Sequence, residues 1–361
     1  MFFLPHALPS QPAEYHKLGS GTDKRWWRVL LGFLALVVAS LILMTLVTLV
    51  PFLLDPMGAL KSFDAISSGQ VDLNDLFFFS VLMLSLIVLI PVAFLATILG
   101  LRIRPGYLLS VADKMRWGWL AQCVLLASVV FVPFMLLSTF VLEESTINPV
   151  NNLGLALVLV VVLVPLQSAA EELVFRGYLA QTVGALIPGR VVSLVVATVA
   201  STLLFAAAHG SFHLTTFAAL GAMAFFSMLL TWYTGGLEGA IAIHAVNNTT
   251  IFVMAALTGP LDALVTEGTD VGPAAFLVAM ALDGGSAALI AWSAKRRGLV
   301  RHHDPKRNPQ PNLAYLVKEY GRGRVYPQHR ELYPPQWQAA LWGSAIRAEE
   351  NIESQARSNE F

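Results

Sequence analysis

Glu171, Glu172 and Arg176 stand in a stretch that is otherwise apolar. The sequence there reads Ala170-Glu171-Glu172-Leu173-Val174-Phe175-Arg176-Gly177 and follows a small and aliphatic run over 153–170. On a helix, side chains four apart share a face, whereas neighbours point in different directions. Glu172 and Arg176 therefore stack and can pair. Glu171 points elsewhere and has no such partner. A carboxylate free to exchange a proton, beside one held ionised by a cation, can act as general base on a water. The same residues also fit a structural ion-pair network or a helix end at the headgroups.

The histidines narrow this choice. His6, His16, His302, His303 and His329 lie in the polar ends of the chain, leaving His209, His213 and His244 in the apolar region. His209 closes an apolar run, with Phe205 one turn behind it. His244 lies about two turns into another run, with Asn248 on the same helical face. An imidazole and an amide on one face can both donate to an oxyanion. A lone histidine in such a place is most often a packing residue. Two histidines, an asparagine and an unpaired glutamate on separate spans are much harder to explain by packing. His213 reads as a loop residue after Gly210 and Ser211. Asp283, beside Gly284 and Gly285, reads as a buried structural hydrogen-bond partner.

Other membrane-protease signatures are missing. There is no His-Glu-x-x-His and no Gly-x-Gly-Asp. Gly284-Gly285-Ser286-Ala287 resembles a serine-nucleophile turn only weakly, since it lacks the last glycine and no histidine follows it in the apolar region.

These residues must be positioned by membrane helices. Of the 361 residues, 56% are hydrophobic and 13% charged, with mean hydropathy +0.65. A soluble domain carries about 25% charged residues. The expected fold is all-α: a polytopic membrane protein of about eight transmembrane helices with a polar chamber in the bundle. The spans are placed at about 29–54, 76–100, 117–142, 153–183, 190–209, 215–234, 237–257 and 273–294, each near the length a bilayer requires. Pro188-Gly189 and Gly235-Gly236 are read as breaks. Trp26, Trp27, Trp117, Trp119 and Trp292 are read as an aromatic belt.

Charge placement suggests an orientation. Lys24, Arg25, Arg28, Arg102, Arg104, Lys114, Arg116, Arg190, Lys295, Arg296, Arg297 and Arg301 fall on one set of connections. Asp55, Asp64, Asp72, Asp75, Glu143, Glu144, Asp262, Glu267 and Asp270 fall on the other, where Lys61 is the lone basic residue. Basic connections stay inside, so both termini are expected in the cytoplasm, and the cell membrane is the expected location. No cleavable signal peptide is expected, because the first apolar run begins after about 28 residues and is too long. Net charge is zero, no nucleic-acid partner is expected, and membrane lipids are. The single cysteine, Cys123, excludes an intramolecular disulfide framework.

Five segments are expected. They are an N-terminal cytoplasmic tail (1–28), three accessory spans (29–142), a catalytic core (150–258), an outer loop with the last span (259–297) and a cytoplasmic tail (298–361). The last contains a possible short helix from Leu341 to Ile352. The tail is read as solvated, in contact with anionic headgroups.

At the chemical residues the sequence resembles the CPBP family, which comprises type II CAAX prenyl-protein endopeptidases and related bacteriocin-processing and Abi-like immunity proteins. Glu171-Glu172-Leu-Val-Phe-Arg176, Phe205-Ala-Ala-Ala-His209 and His244-Ala-Val-Asn-Asn248 match the family's three motifs in order. Gly177 and Leu179 suit its usual continuation. The resemblance covers about residues 150–258. It implies an intramembrane endopeptidase acting on a membrane-associated peptide or protein, of the prenylated CAAX type or the bacteriocin-leader type.

Glu171 would then be the general base, with His209 helping to hold the water. His244 and Asn248 would form the oxyanion site, and Glu172 and Arg176 would orient the first glutamate. The resemblance covers both metal-dependent and glutamate-only descriptions. No cofactor is favoured. In the zinc alternative the ligands would be Glu171, His209 and His244. Two further readings stand beside it: a non-catalytic immunity or scaffold protein on the same fold, and a proton-linked transporter. Intact motifs argue against the first, and the lack of an inverted repeat against the second.

The expected spans raise one geometric problem. If span four ends near 183 and span five starts near 190, Glu171 lies about 18 Å and His209 about 28 Å from the same membrane side, a mismatch of ~10 Å.

Overall fold

The computed structural model describes residues 8–9, 12–21, 26–67, 75–210, 212–259 and 272–304, with positions 337, 338 and 342. The chain divides into two units, Met1–His303 and Asp304–Phe361. The helix expected from Leu341 to Ile352 lies outside the described residues except at Trp342, as does the connection over 260–271.

Among the described residues, eight helices are long and apolar enough to cross a membrane. They are span one (Trp26–Leu54), two (Leu76–Leu101), three (Trp117–Leu142), four (Leu153–Leu186), five (Arg190–Ala208), six (Leu214–Thr234), seven (Glu238–Thr258) and eight (Gly272–Arg296). Leucines, valines and phenylalanines cover their outer faces: Leu41, Leu53, Leu125, Val158, Val191 and Leu203 are all exposed. Exposed apolar surface on this scale is tolerated in lipid and not in water. The chain is an all-α, multi-pass integral membrane protein.

The local chemistry sets the span ends. Asp75 accepts from the Phe78 amide at 3.0 Å and caps span two. Gly189 (φ 79°) precedes span five, and Gly235 (φ 69°) closes span six in the left-handed region that glycine enters cheaply. A further helix, Pro56–Ser67, lies between spans one and two. Trp26, Trp117 and Trp292 are exposed near span ends, as a belt requires. Trp119 is not part of the belt. It is 3% exposed and packs inward with Cys123, Phe131 and Ile243.

Span seven is the most buried of the eight. It packs on spans four and three, while six joins five and eight, and two lies on four. Spans four, five and seven thus meet at the centre, where the motifs are.

The stretch from Ala13 to Gly21, within the expected N-terminal tail (1–28), is packed into the bundle. Ala13–Glu14 (β1) pairs antiparallel with His302–His303 (β2), in the register Ala13↔His303. Tyr15, His16 and Leu18 are fully buried. The Tyr15 hydroxyl donates to the Leu108 carbonyl. Lys17 Nζ donates to the carbonyls of Gly184 and Ile187, both at 2.7 Å, and so satisfies the end of span four. Gly184 is required there, because a Cβ would lie 1.9 Å from the His16 carbonyl oxygen.

Arg116, one of the basic residues of the connection between spans two and three, is in a bidentate pair. Its Nε and Nη2 each lie 2.7 Å from the carboxylate of Glu238, which is fully buried.

Candidate active site

Glu171 and Glu172 end the first α-helical part of span four, and a π-helical stretch, Leu173–Leu179, follows before α-helix resumes at Ala180–Leu186. Such widened turns occur often at functional sites. Arg176 lies within this one. Glu172, Arg176 and His244 are fully buried, and Glu171 is 8% exposed.

As the spacing predicts, Glu172 pairs with Arg176: Oε1 lies 3.0 Å from Nη1. The contact is a charge contact only, because among the described residues no guanidinium nitrogen of Arg176 has a directed hydrogen bond. The guanidinium is held instead over the ring of Phe205, 4.0 Å from its centroid. The same ring meets His244 edge-on at 5.6 Å and Phe175 at 5.4 Å, and it contacts His209 at 4.6 Å. Phe205 is therefore the platform on which the motifs of three spans converge. Sequence reasoning gave it no role, although its position four residues before His209 was the available signal. Spans four and five are also pinned by the Ser201 hydroxyl, which donates to the Phe175 carbonyl at 3.1 Å.

His244 lies between the two glutamates. Its Nδ1 is 2.8 Å from Glu172 Oε1, and its Nε2 is 3.7 Å from Glu171 Oε2. A carboxylate only accepts, so Nδ1–H donates to Glu172. In the neutral ring Nε2 then carries the lone pair. Among the described residues neither Nε2 nor Glu171 Oε2 has a hydrogen-bond partner, although both are buried. The other oxygen of Glu171 accepts from Gln167 Nε2. This arrangement resembles the way a carboxylate fixes tautomer and direction for a working imidazole.

His209 is not in this group. It follows the last residue of span five and is exposed, and its Nδ1 donates to the Phe205 carbonyl at 2.9 Å. Among the described contacts it reaches His244 only through the Phe205 ring. The register explains why. Span four runs to Leu186, ending at the Pro188-Gly189 break as expected, three residues past the bound of 183 used for the depth mismatch. Glu171 lies as many residues before Leu186 as Phe205 lies after Arg190, fifteen in each case. Phe205 is therefore level with Glu171, and His209 lies about 6 Å further along. The expected mismatch shrinks, and the remainder separates His209 from the base.

Asn248 lies one turn beyond His244 on span seven and is partly buried. Its Oδ1 accepts from Asn247 Nδ2 at 3.1 Å. His213 is an exposed, extended residue before span six, outside the helix as expected. Asp283 is buried on span eight and lies within electrostatic reach of both Arg176 and His244.

The three residues named for zinc do not converge. A catalytic zinc takes three protein ligands. Glu171 Oε2 and His244 Nε2 could supply two, but His209 is a turn away and committed to a carbonyl. Among the described residues no group of three His, Cys, Asp or Glu has a metal-holding arrangement. The donor set does not fit a three-ligand zinc site, and no step is routed through one.

Residues 151–250 match the family model described as Rce1-like, Type II CAAX prenyl endopeptidase Rce1-like. The matched segment contains Glu171, Glu172, Arg176, Phe205, His209, His244 and Asn248. The match agrees with the resemblance drawn from the motifs, and the matching family is described as one of endopeptidases. No curated protein and no solved structure matches the chain.

Proposed function

We propose that the protein is an intramembrane endopeptidase that hydrolyses a peptide bond of a membrane-associated substrate with a water activated by Glu171. One observation carries this reading: the two facing, unpartnered buried atoms, Glu171 Oε2 and His244 Nε2, 3.7 Å apart. A water between them donates one proton to each. Glu171 takes its proton as the oxygen attacks the scissile carbonyl carbon. The proton then passes to the leaving nitrogen as the C–N bond breaks. Glu172 fixes the tautomer of His244, and Arg176, held on Phe205, balances the charge of Glu172.

This revises two expected roles. With Nδ1–H committed to Glu172, the neutral His244 is a water acceptor and not an oxyanion donor, so Asn248 Nδ2 supplies that donor. His209, exposed and a turn away, belongs with the substrate and not with the water. The active form needs no cofactor. One equivalent of bound zinc, lost with activity on chelation and restored on readdition, would overturn that assignment.

The test is cleavage in proteoliposomes of two membrane-anchored peptides, one isoprenylated at a C-terminal cysteine and one anchored by an apolar leader. Cleavage of at least one is expected, with loss of about 10²–10³-fold in Asn248→Ala if it holds the oxyanion. Failure to cleave either by the folded protein would sink the reading. Both termini are assigned to the cytoplasm on loop charge. Reporter fusions at Lys114 and Arg301 should then read inside, and those at Asp72, Glu144 and Glu267 outside. Inversion at two of these would reverse the assignment.

A further inference from the structure

Gln167 lies one helical turn before Glu171 and is 6% exposed, in a span whose other faces are small or aliphatic. Its Nε2 donates to Oε1 of Glu171. Its own Oε1 accepts from the hydroxyl of Ser168, itself fully buried, at 3.3 Å. The direction of this chain is fixed by chemistry. An ionised carboxylate only accepts, so the amide nitrogen must face Glu171, and the hydroxyl on the other side meets the amide oxygen.

The two oxygens of Glu171 are thereby made unequal. Oε1 is engaged by the amide. Oε2 has no partner and lies 3.7 Å from His244 Nε2. A glutamate side chain has several staggered rotamers open to it on a helix. Packing restricts this choice, and a directed hydrogen bond to one oxygen restricts it further.

We infer that Gln167 is a positioning residue of this site: by holding Oε1 of Glu171 it selects the rotamer that presents Oε2 to the slot beside His244. The inference rests on the hydrolytic reading above and extends it to a residue outside the three motifs. Its logic is that of groups which orient a reacting side chain without touching substrate. A glutamine present only to pack, or to satisfy Ser168, would affect folding and leave turnover per folded molecule unchanged.

The test is steady-state cleavage of the membrane-anchored peptide by the full chain in liposomes, with thermal stability measured on the same preparations. Gln167→Met keeps the length and removes the donor. Gln167→Asn keeps the amide and draws it back by one methylene. In both, kcat per folded molecule should fall by roughly 10–100-fold, the scale for lost orienting groups, while KM stays within about twofold because no substrate contact changes. Wild-type kcat in either variant would overturn the inference. So would a fall that only follows the amount of folded protein, or one that appears wholly in KM. Glu171→Gln in the same assay separates the two claims. If that variant is inactive while Gln167→Met is fully active, only the positioning role fails. If Glu171→Gln itself cleaves at the wild-type rate, the hydrolytic reading fails.

Discussion

Oε1 of Glu172 accepts from His244 Nδ1 at 2.8 Å and is also the oxygen 3.0 Å from Arg176 Nη1. One carboxylate oxygen thus serves two spans: it fixes the imidazole of span seven and balances the cation of its own helix. The substitution Glu172→Gln removes the negative charge while Arg176 stays fully buried. Breaking a buried pair by removing one partner costs roughly 3–5 kcal/mol. The variant should therefore lose both thermal stability in detergent and cleavage. Unchanged stability would show that Glu171, Asp283 and the Phe205 ring suffice for Arg176.

Gly184 gives a second prediction, away from the site. A Cβ there would lie 1.9 Å from the His16 carbonyl oxygen, a backbone atom that cannot yield cheaply. Overpacking costs about 1–3 kcal/mol, against the ~1 kcal/mol that alanine gains over glycine in a helix. The clash should win. Gly184→Ala should lower the melting temperature and expose Lys17 to trypsin, and equal protection of Lys17 in variant and parent would refute the packing role of 13–21.

His16 makes the same region sensitive to pH. Burial pushes its imidazole down to about 4, against the opposing effect of Glu14. Its ring lies 4.0 Å from Glu14 Oε2 and 3.2 Å from the Ser193 hydroxyl, with Lys17 and Arg190 adding positive charge nearby. The unfolded ring takes a proton below about 6.5, whereas the folded ring resists until about 4. Between those values the unfolded state binds more protons, so stability falls as pH drops through that window and is level above it. Melting curves of the parent and of His16→Gln should diverge in slope between about pH 6.5 and 5, with the variant flatter. Parallel slopes would contradict the assignment.

The span boundaries were legible in the sequence because lipid selects continuous apolar runs, and the glycine and proline breaks at 188–189 and 235–236 mark their ends. The pairing of Glu172 with Arg176 followed from helical spacing alone. The contact of Glu172 with His244 did not, since it depends on how spans four and seven pack. Phe205 stood in the sequence as a motif residue without a role of its own, and Gln167 was passed over. A phenylalanine in an apolar helix looks like lipid-facing or core surface until its ring is seen under a guanidinium. Gln167 did carry a signal, an amide four residues before Glu171 in an otherwise apolar run. The burial of 13–21 was illegible because the segment is short and polar in composition, and its partners are scattered: the carbonyls of Leu108, Gly184 and Ile187, the Ser193 hydroxyl and the strand His302–His303. The separation of His209 from Glu171 was visible in the sequence as a depth mismatch, and counting span four to Leu186 reduces it to about one helical turn.

The central claim is that Glu171, and not the charge cluster as a whole, activates the water. The most direct measurement compares Glu171→Gln with the parent in proteoliposomes, reading cleavage of a membrane-anchored peptide beside binding of the same peptide and thermal stability. Glutamine keeps the shape and removes the base. The account predicts that cleavage falls by at least about 10²-fold, while folding and peptide binding remain. Cleavage at the parent's rate by a folded Glu171→Gln protein would contradict it, and would leave the buried cluster as a structural network or a proton path.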